Sequence, residues 1–308
     1  MGWLLFLAAL LRPALGACPT NSTTAGYYCD GVGGATETIC PAGYFCPRGA
    51  NATTLCGPGT YGDTTGLSTG SCSGQCSAGR YGVGTSVRTA ATCDGECPAG
   101  YFCPAGTSDP TQNLCACGYW GQLGARNSTC SGPCNAGAFG STTSVRIAPT
   151  CTGLCAGGYF CPPVSCTANA QLCPIGTFCV PGSATSTPCP VGQWSNVTAR
   201  GPQLGEIACF ECTPGRYNPA RGSTSVSACL PCAAGNFSMY GSPACTRCAR
   251  GTYCLSGEQS AVPIDCPAGR YGDTIGLTSK DCTAPCPAGF YGSTPRLSSS
   301  SCTGVCPP

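Results

Sequence analysis

Cys97-Pro98-Ala99-Gly100-Tyr101-Phe102-Cys103 carries the pattern that decides the fold: a cysteine, a glycine three residues on and an aromatic five residues on. The same spacing starts at Cys40, Cys56, Cys76, Cys115, Cys134, Cys155, Cys173, Cys189, Cys212, Cys232, Cys248, Cys266 and Cys286. Fourteen copies, 16 to 23 residues apart, mark an array of small repeats. In each copy the proline, where present, suits position i+1 of a turn, and the glycine suits the last position of a type I turn. The aromatic then lies beside the disulfides and covers sulfur with its apolar face.

Composition agrees with an array rather than a large core. The chain has 308 residues and 33 cysteines, beyond the usual threshold for a disulfide scaffold. Leu, Ile, Val and Phe together number 43, too few for an ordinary core of this length. The net charge is only +2, so the low hydrophobicity does not signal a charged, disordered chain. Order must come from cross-links, each contributing about 3 kcal/mol for a loop near 15 residues.

Each repeat has a second cysteine at one of two spacings. In short repeats it follows five intervening residues, at Cys46, Cys103, Cys161, Cys179 and Cys254. In long repeats it follows 12 to 19, at Cys72, Cys93, Cys130, Cys151, Cys209, Cys229, Cys245, Cys282 and Cys302. One disulfide per repeat is the simplest reading. Its candidates are Cys56, Cys72, Cys76, Cys93, Cys134, Cys151, Cys189, Cys209, Cys212, Cys229, Cys232, Cys245, Cys266, Cys282, Cys286 and Cys302. Sequence alone leaves connectivity open, and short repeats that exchange partners with their neighbours are the alternative. Cys117 and Cys166 stand outside the pattern. The stretch Cys72–Pro104 is repeated closely over Cys130–Pro162, including Thr-Ser-Val-Arg, so internal duplication is strongly indicated. Linkers of two or three residues predict an elongated array of short two-stranded β repeats and turns, with almost no helix apart from a signal peptide.

The apolar run Trp3–Leu11, broken by Arg12-Pro13 and followed by Ala14-Leu15-Gly16, reads as a signal peptide over residues 1–16. Leu15-Gly16-Ala17-Cys18 also resembles a lipoprotein box, but no basic residue precedes the apolar run. The organisation expected is a signal peptide, a cysteine-containing cap over 17–39, repeat blocks over 40–171 and 172–305, and the start of a further, truncated repeat at 306–308. No later stretch has eighteen apolar residues, so no membrane span is expected in these residues. Five sequons, at Asn21, Asn51, Asn127, Asn196 and Asn236, are glycosylation candidates.

Histidine is absent, which removes Ser-His-Asp and Cys-His pairs, and the twelve acidic residues are scattered. The reading is therefore non-enzymatic, with no catalytic residue and no cofactor. Lysine occurs once and no basic stripe exists, so nucleic acid is not an expected partner. Cys209-x2-Cys212-x16-Cys229-x2-Cys232 has zinc-ribbon spacing, but the cysteine repeat explains it without metal.

The repeat Cys-Pro-x-Gly-Tyr/Phe with flanking Cys-x2-Cys or Cys-x3-Cys resembles the ephrin type A/B receptor-like cysteine-rich repeat. That repeat belongs to the growth-factor-receptor cysteine-rich group and is similar to tumour-necrosis-factor-receptor modules. The best match is Cys212–Cys232; Cys266–Tyr271 and Cys286–Tyr291 are close, and the short repeats depart from the usual form. The resemblance implies a secreted or cell-surface protein with cysteines as disulfide partners. Two roles remain: a structural, adhesive or spacer ectodomain, or the ligand-binding part of a transmembrane receptor. An extracellular protein or glycan would be the partner in either case.

Overall fold

In a computed structural model the chain is described over residues 23–29, 36–196, 209–257 and 261–308. The expected signal peptide lies outside the described residues, as does Asn21. The described residues form small disulfide-rich β repeats: fourteen two-stranded antiparallel hairpins, with strands of two residues each. The helical element described in full is one 3-10 turn, Val226–Ala228, capped by the Ser225 hydroxyl. By backbone contact the chain divides into two compact bodies, Met1–Asn135 with Gly140–Thr152, and Ala136–Phe139 with Gly153–Pro308.

Every hairpin is built the same way. In the repeat at Cys40, strand Tyr44–Phe45 pairs with strand Thr54–Leu55, which runs directly into the first cysteine of the next repeat, Cys56. The repeat at Cys97 keeps only a single bridge, Tyr101 to Leu114. The turn sits one residue later than the sequence suggested. Tyr44 N–H donates to the Pro41 carbonyl at 3.2 Å, and Gly43, at φ +86°, occupies the third corner. Only type II geometry, with glycine at i+2, fits that positive φ after a residue of negative φ. Proline therefore stands at the first corner, not the second.

The glycine three residues after each first cysteine also knits repeats together. Its carbonyl accepts from the first cysteine of the following repeat, as in Cys56 N–H to Gly43 at 3.0 Å and Cys76 N–H to Gly59 at 2.8 Å. In the repeats from Cys40 to Cys248 its N–H donates to the following repeat, as in Gly43 to Gly62 at 2.8 Å and Gly235 to Cys254 at 2.9 Å. Backbone groups left without a strand partner are thus satisfied by neighbours. Contact reaches the next repeat but one. A Cβ on Gly59 would overlap the carbonyl of Gly106, two repeats on, and one on Gly137 would overlap that of Gly182.

The core is the row of cysteines. Among the described residues, nearly all buried apolar side chains are half-cystines, joined only by Ala50, Ala125 and Ala138. Fourteen bonds close within single repeats. The short ones are Cys40–Cys46, Cys97–Cys103, Cys155–Cys161, Cys173–Cys179 and Cys248–Cys254. The long ones are Cys56–Cys72, Cys76–Cys93, Cys115–Cys130, Cys134–Cys151, Cys189–Cys209, Cys212–Cys229, Cys232–Cys245, Cys266–Cys282 and Cys286–Cys302. Cys29, Cys117 and Cys166 are also disulfide-bonded, and Cys306 is a free, exposed thiol. The aromatics five residues after the first cysteines are half-buried, except Tyr291, which is exposed. Tyr28 and Tyr44 pack against Cys40–Cys46, and Phe160 packs against Cys173–Cys179 of the following repeat. On their own hairpins Tyr61 and Phe139 lie over the partner-strand glycines Gly74 and Gly153.

The position six residues after the first cysteine decides which form a repeat takes. In short repeats it is the bonded second cysteine. In six long repeats it is Gly62, Gly82, Gly121, Gly140, Gly272 or Gly292, where a Cβ would sit 2.7–3.1 Å from the repeat's own first sulfur. Glycine there leaves room for the sulfur to turn toward a distant partner. In the remaining three it is Ser195, Asn218 or Ser238, all buried.

These two long forms also end differently. Where the sixth position is glycine, the second cysteine has a left-handed backbone, with φ between 48° and 53° at Cys72, Cys93, Cys130, Cys151, Cys282 and Cys302. The left-handed turn spans the three-residue linker to the next cysteine. It is held by the residue that follows. The Ser73 hydroxyl, the Asp94 carboxylate and the hydroxyls of Ser131, Thr152, Thr283 and Thr303 each accept the N–H one residue beyond the glycine, at 2.6–3.1 Å. Where the sixth position is serine or asparagine, the second cysteine lies outside the left-handed region and the linker has two residues.

Candidate ligand cleft and surface sites

The duplicated Thr-Ser-Val-Arg segments place one arginine at the centre of each copy. Arg88 and Arg146 are 2% and 1% exposed, which makes them interior plugs rather than surface charges. Arg88 donates to the carbonyls of Thr60 (2.8 Å), Ser86 (3.1 Å), Cys56 (2.6 Å), Gly57 (2.8 Å) and Val83, and stands 3.6 Å from the Asp94 carboxylate. Arg146 donates to Tyr119 (2.7 Å), Ser144 (2.7 Å), Ala116 (3.0 Å), Ser141 and Cys115. Thr152 takes the place of Asp94, so carbonyl dipoles alone hold the Arg146 guanidinium among the described residues. Burial lowers its pKa from the usual arginine value. Leu67, Leu277 and Leu297 pack at the matching glycines of other repeats. In the repeats with serine or asparagine, Asn218 and Ser238 reach the corresponding carbonyls, Gln193 and Arg216, at 2.8 and 2.9 Å. The arginine was visible in the motif, but its burial follows only from the glycine beside it.

The zinc-ribbon cysteines do not converge. Cys209 bonds to Cys189, Cys212 to Cys229 and Cys232 to Cys245, so their sulfurs are distributed over three disulfides. Among the described residues no group of three or more Cys, Asp or Glu could hold a metal ion. No helix among them is long and apolar enough to cross a membrane.

The sequons differ in setting. Asn51, Asn127 and Asn196 are exposed. At Asn127 the Thr129 hydroxyl donates to the side-chain oxygen at 2.8 Å, so the two groups of the motif face each other. Asn236 lies in a strand paired with Arg247, and its amide nitrogen donates to the carbonyls of Ala233 and Ala234 at 3.3 and 3.4 Å.

One concave surface stands out within the second body. Residues Phe178, Pro190, Gln193, Phe210, Glu211 and Tyr240 line a cleft of about 620 Å³. Three of these residues come from one hairpin, in which Gln193 pairs with Glu211 and Trp194 with Phe210; the Trp194 and Phe210 rings lie 5.3 Å apart. Tyr240 comes from the repeat at Cys232 because the adjoining Gly241 packs onto Gly192, two repeats earlier. Tyr240 is 68% exposed and also borders a second hollow lined by Pro214, Met239, Ala261 and Val262. The spacing pattern gave no sign of this cleft. Phe210, Glu211 and Tyr240 all lie outside the recurring positions, among the residues that vary from repeat to repeat.

No family model matches the chain, and no curated protein matches it.

Proposed function

We propose that the chain is a non-enzymatic, extracellular or cell-surface cysteine-rich repeat protein that acts as a structural, adhesive or spacer ectodomain, related to the ephrin type A/B receptor-like repeats. The observation that carries this reading is the core itself. It consists almost wholly of disulfides, which form and persist in oxidising compartments and are rare in reducing ones. The recurring positions are spent on disulfides, tight turns and hydrogen bonds between repeats. The residues that vary from repeat to repeat, among them Phe210, Glu211 and Tyr240, are the ones most open to partners. Expressed in a secreting eukaryotic cell, the full chain is expected in the medium or at the surface, trimmed after Gly16 or Ala17. Its paired cysteines should not react with an alkylating reagent before reduction. Recovery from the cytosol with reactive thiols would overturn the reading.

The second reading, a ligand-binding part of a signalling receptor, is favoured by the aromatic cleft around Tyr240. A cleft of this volume is in the range of ordinary ligand sites.

Glycosylation belongs to the same proposal. Glycopeptide mapping of the secreted chain is expected to find glycan on Asn127 and little on Asn236, whose amide is engaged by two carbonyls. The reverse ranking would refute this assignment while leaving secretion untouched.

A further inference from the structure

Glu211 sits in the cleft and forms no ion pair among the described residues. Among the described residues the ion pairs use Glu96, Asp94, Asp281 and Asp265, and none involves Glu211. The carboxylate lies beside the Gly241 backbone, and the exposed Tyr240, which precedes that glycine, lines the same cleft. Phe178 and Phe210 supply two further rings, and Gln193 adds a neutral amide across the hairpin. Phe210 is 43% exposed although its ring is steadied against Trp194. Among the described residues the cleft therefore offers aromatic rings, one carboxylate outside any ion pair and one amide.

A neutral apolar ligand would leave the carboxylate unpaired as it lost water, which costs free energy. An anion would be repelled. A cation carried on a flat or aliphatic body satisfies both parts of the site. It pairs with the carboxylate and lies over ring faces, whose quadrupole attracts positive charge. Guanidinium fits better than ammonium, because it is planar, stacks on aromatic rings and binds a carboxylate with two parallel donors. The cleft, at about 620 Å³, has room for an arginine residue together with neighbouring residues of its chain.

We propose that this cleft binds an arginine side chain of a partner polypeptide, with Glu211 pairing with the guanidinium and Tyr240 stacking on it. This goes beyond the extracellular reading and does not depend on it. A single partly exposed site of this kind is expected to bind a short peptide only weakly, in the millimolar range.

The test is an NMR titration of the intact, oxidised protein with a blocked Gly-Arg-Gly peptide. The neutral counterpart, in which citrulline replaces arginine, and the lysine counterpart are titrated alongside. The expected result is saturable shifts at Trp194, Phe210 and Tyr240 with the arginine peptide, on the order of tenfold weaker binding of the lysine peptide, and no saturation with citrulline. Glu211→Gln and Tyr240→Ala should each abolish saturation. Both side chains are exposed, so the disulfide pattern and hydrogen-exchange protection of the repeats should stay unchanged. Glu96→Gln, at an exposed ion pair with Arg80 in the other body, should bind as the parent does. Equal binding of the citrulline peptide, undiminished binding by Glu211→Gln, or no saturable shift with any peptide would overturn the proposal.

Discussion

Gly59→Ala is expected to loosen the contact between the repeats at Cys56 and Cys97 by roughly 2–5 kcal/mol. About 1–2 kcal/mol comes from holding alanine at φ +76°, where its Cβ crowds its own backbone. About 1–3 kcal/mol more comes from overpacking, because the new carbon would overlap the Gly106 carbonyl, whose carbon is 2.7 Å away. Gly106 has little freedom to retreat, since its N–H donates to the Cys76 carbonyl at 3.0 Å. Stability in a repeat array is spread over neighbouring interfaces and does not follow a two-state transition. Amide hydrogen exchange is therefore the right readout. The Gly106 and Cys76 amides should lose protection, while those of distant repeats keep theirs. Gly269→Ala is the control. Its φ is +83°, but nothing lies within 4 Å of the added carbon, so only about 1–2 kcal/mol of backbone strain is expected. Equal effects at the two glycines would show that the contact two repeats away carries no energy.

Arg146→Met should open the same body locally by about 3–5 kcal/mol, a loss typical of breaking a buried charged network. The substitution preserves much of the volume but strands five carbonyls that the guanidinium now satisfies. Arg146→Lys should recover only part of that loss, because a point ammonium cannot reach carbonyls spread around a planar fork. The exchange rate of the Gly121 amide, which donates to the Arg146 carbonyl at 2.9 Å, reports the opening directly. Full recovery by lysine would mean that charge, not the fork, matters.

The repeat was fully legible in the sequence because Cys-x2-Gly-x-aromatic names three groups with fixed jobs. These are a half-cystine, a positive-φ corner and a half-buried ring. The hairpins and the near absence of helix followed from that spacing. The placement of the turn did not, because proline is compatible with more than one corner while the glycine's φ is decisive. The two kinds of long repeat were also written in the chain. Six have glycine six residues after the first cysteine, a three-residue linker, and Ser, Asp or Thr after the second cysteine; Gly82, Cys93 and Asp94 are one such set. Each signal is weak alone, and their connection is a matter of space around one sulfur. The packing of Gly59 on Gly106 and of Gly192 on Gly241 was not readable at all, since no short-range pattern records contact two repeats away. The cleft at Tyr240 depends on that packing and was hidden for the same reason.

The account rests on each repeat closing on its own disulfide while backbone hydrogen bonds join it to its neighbours. The direct measurement is disulfide mapping by mass spectrometry on the secreted, non-reduced chain, with free thiols blocked before digestion. The predicted result is linked peptides such as Cys76–Cys93, Cys97–Cys103 and Cys115–Cys130, with the blocking group on Cys306. Peptides joining Cys97 or Cys103 to a cysteine of the repeat before or after would contradict it.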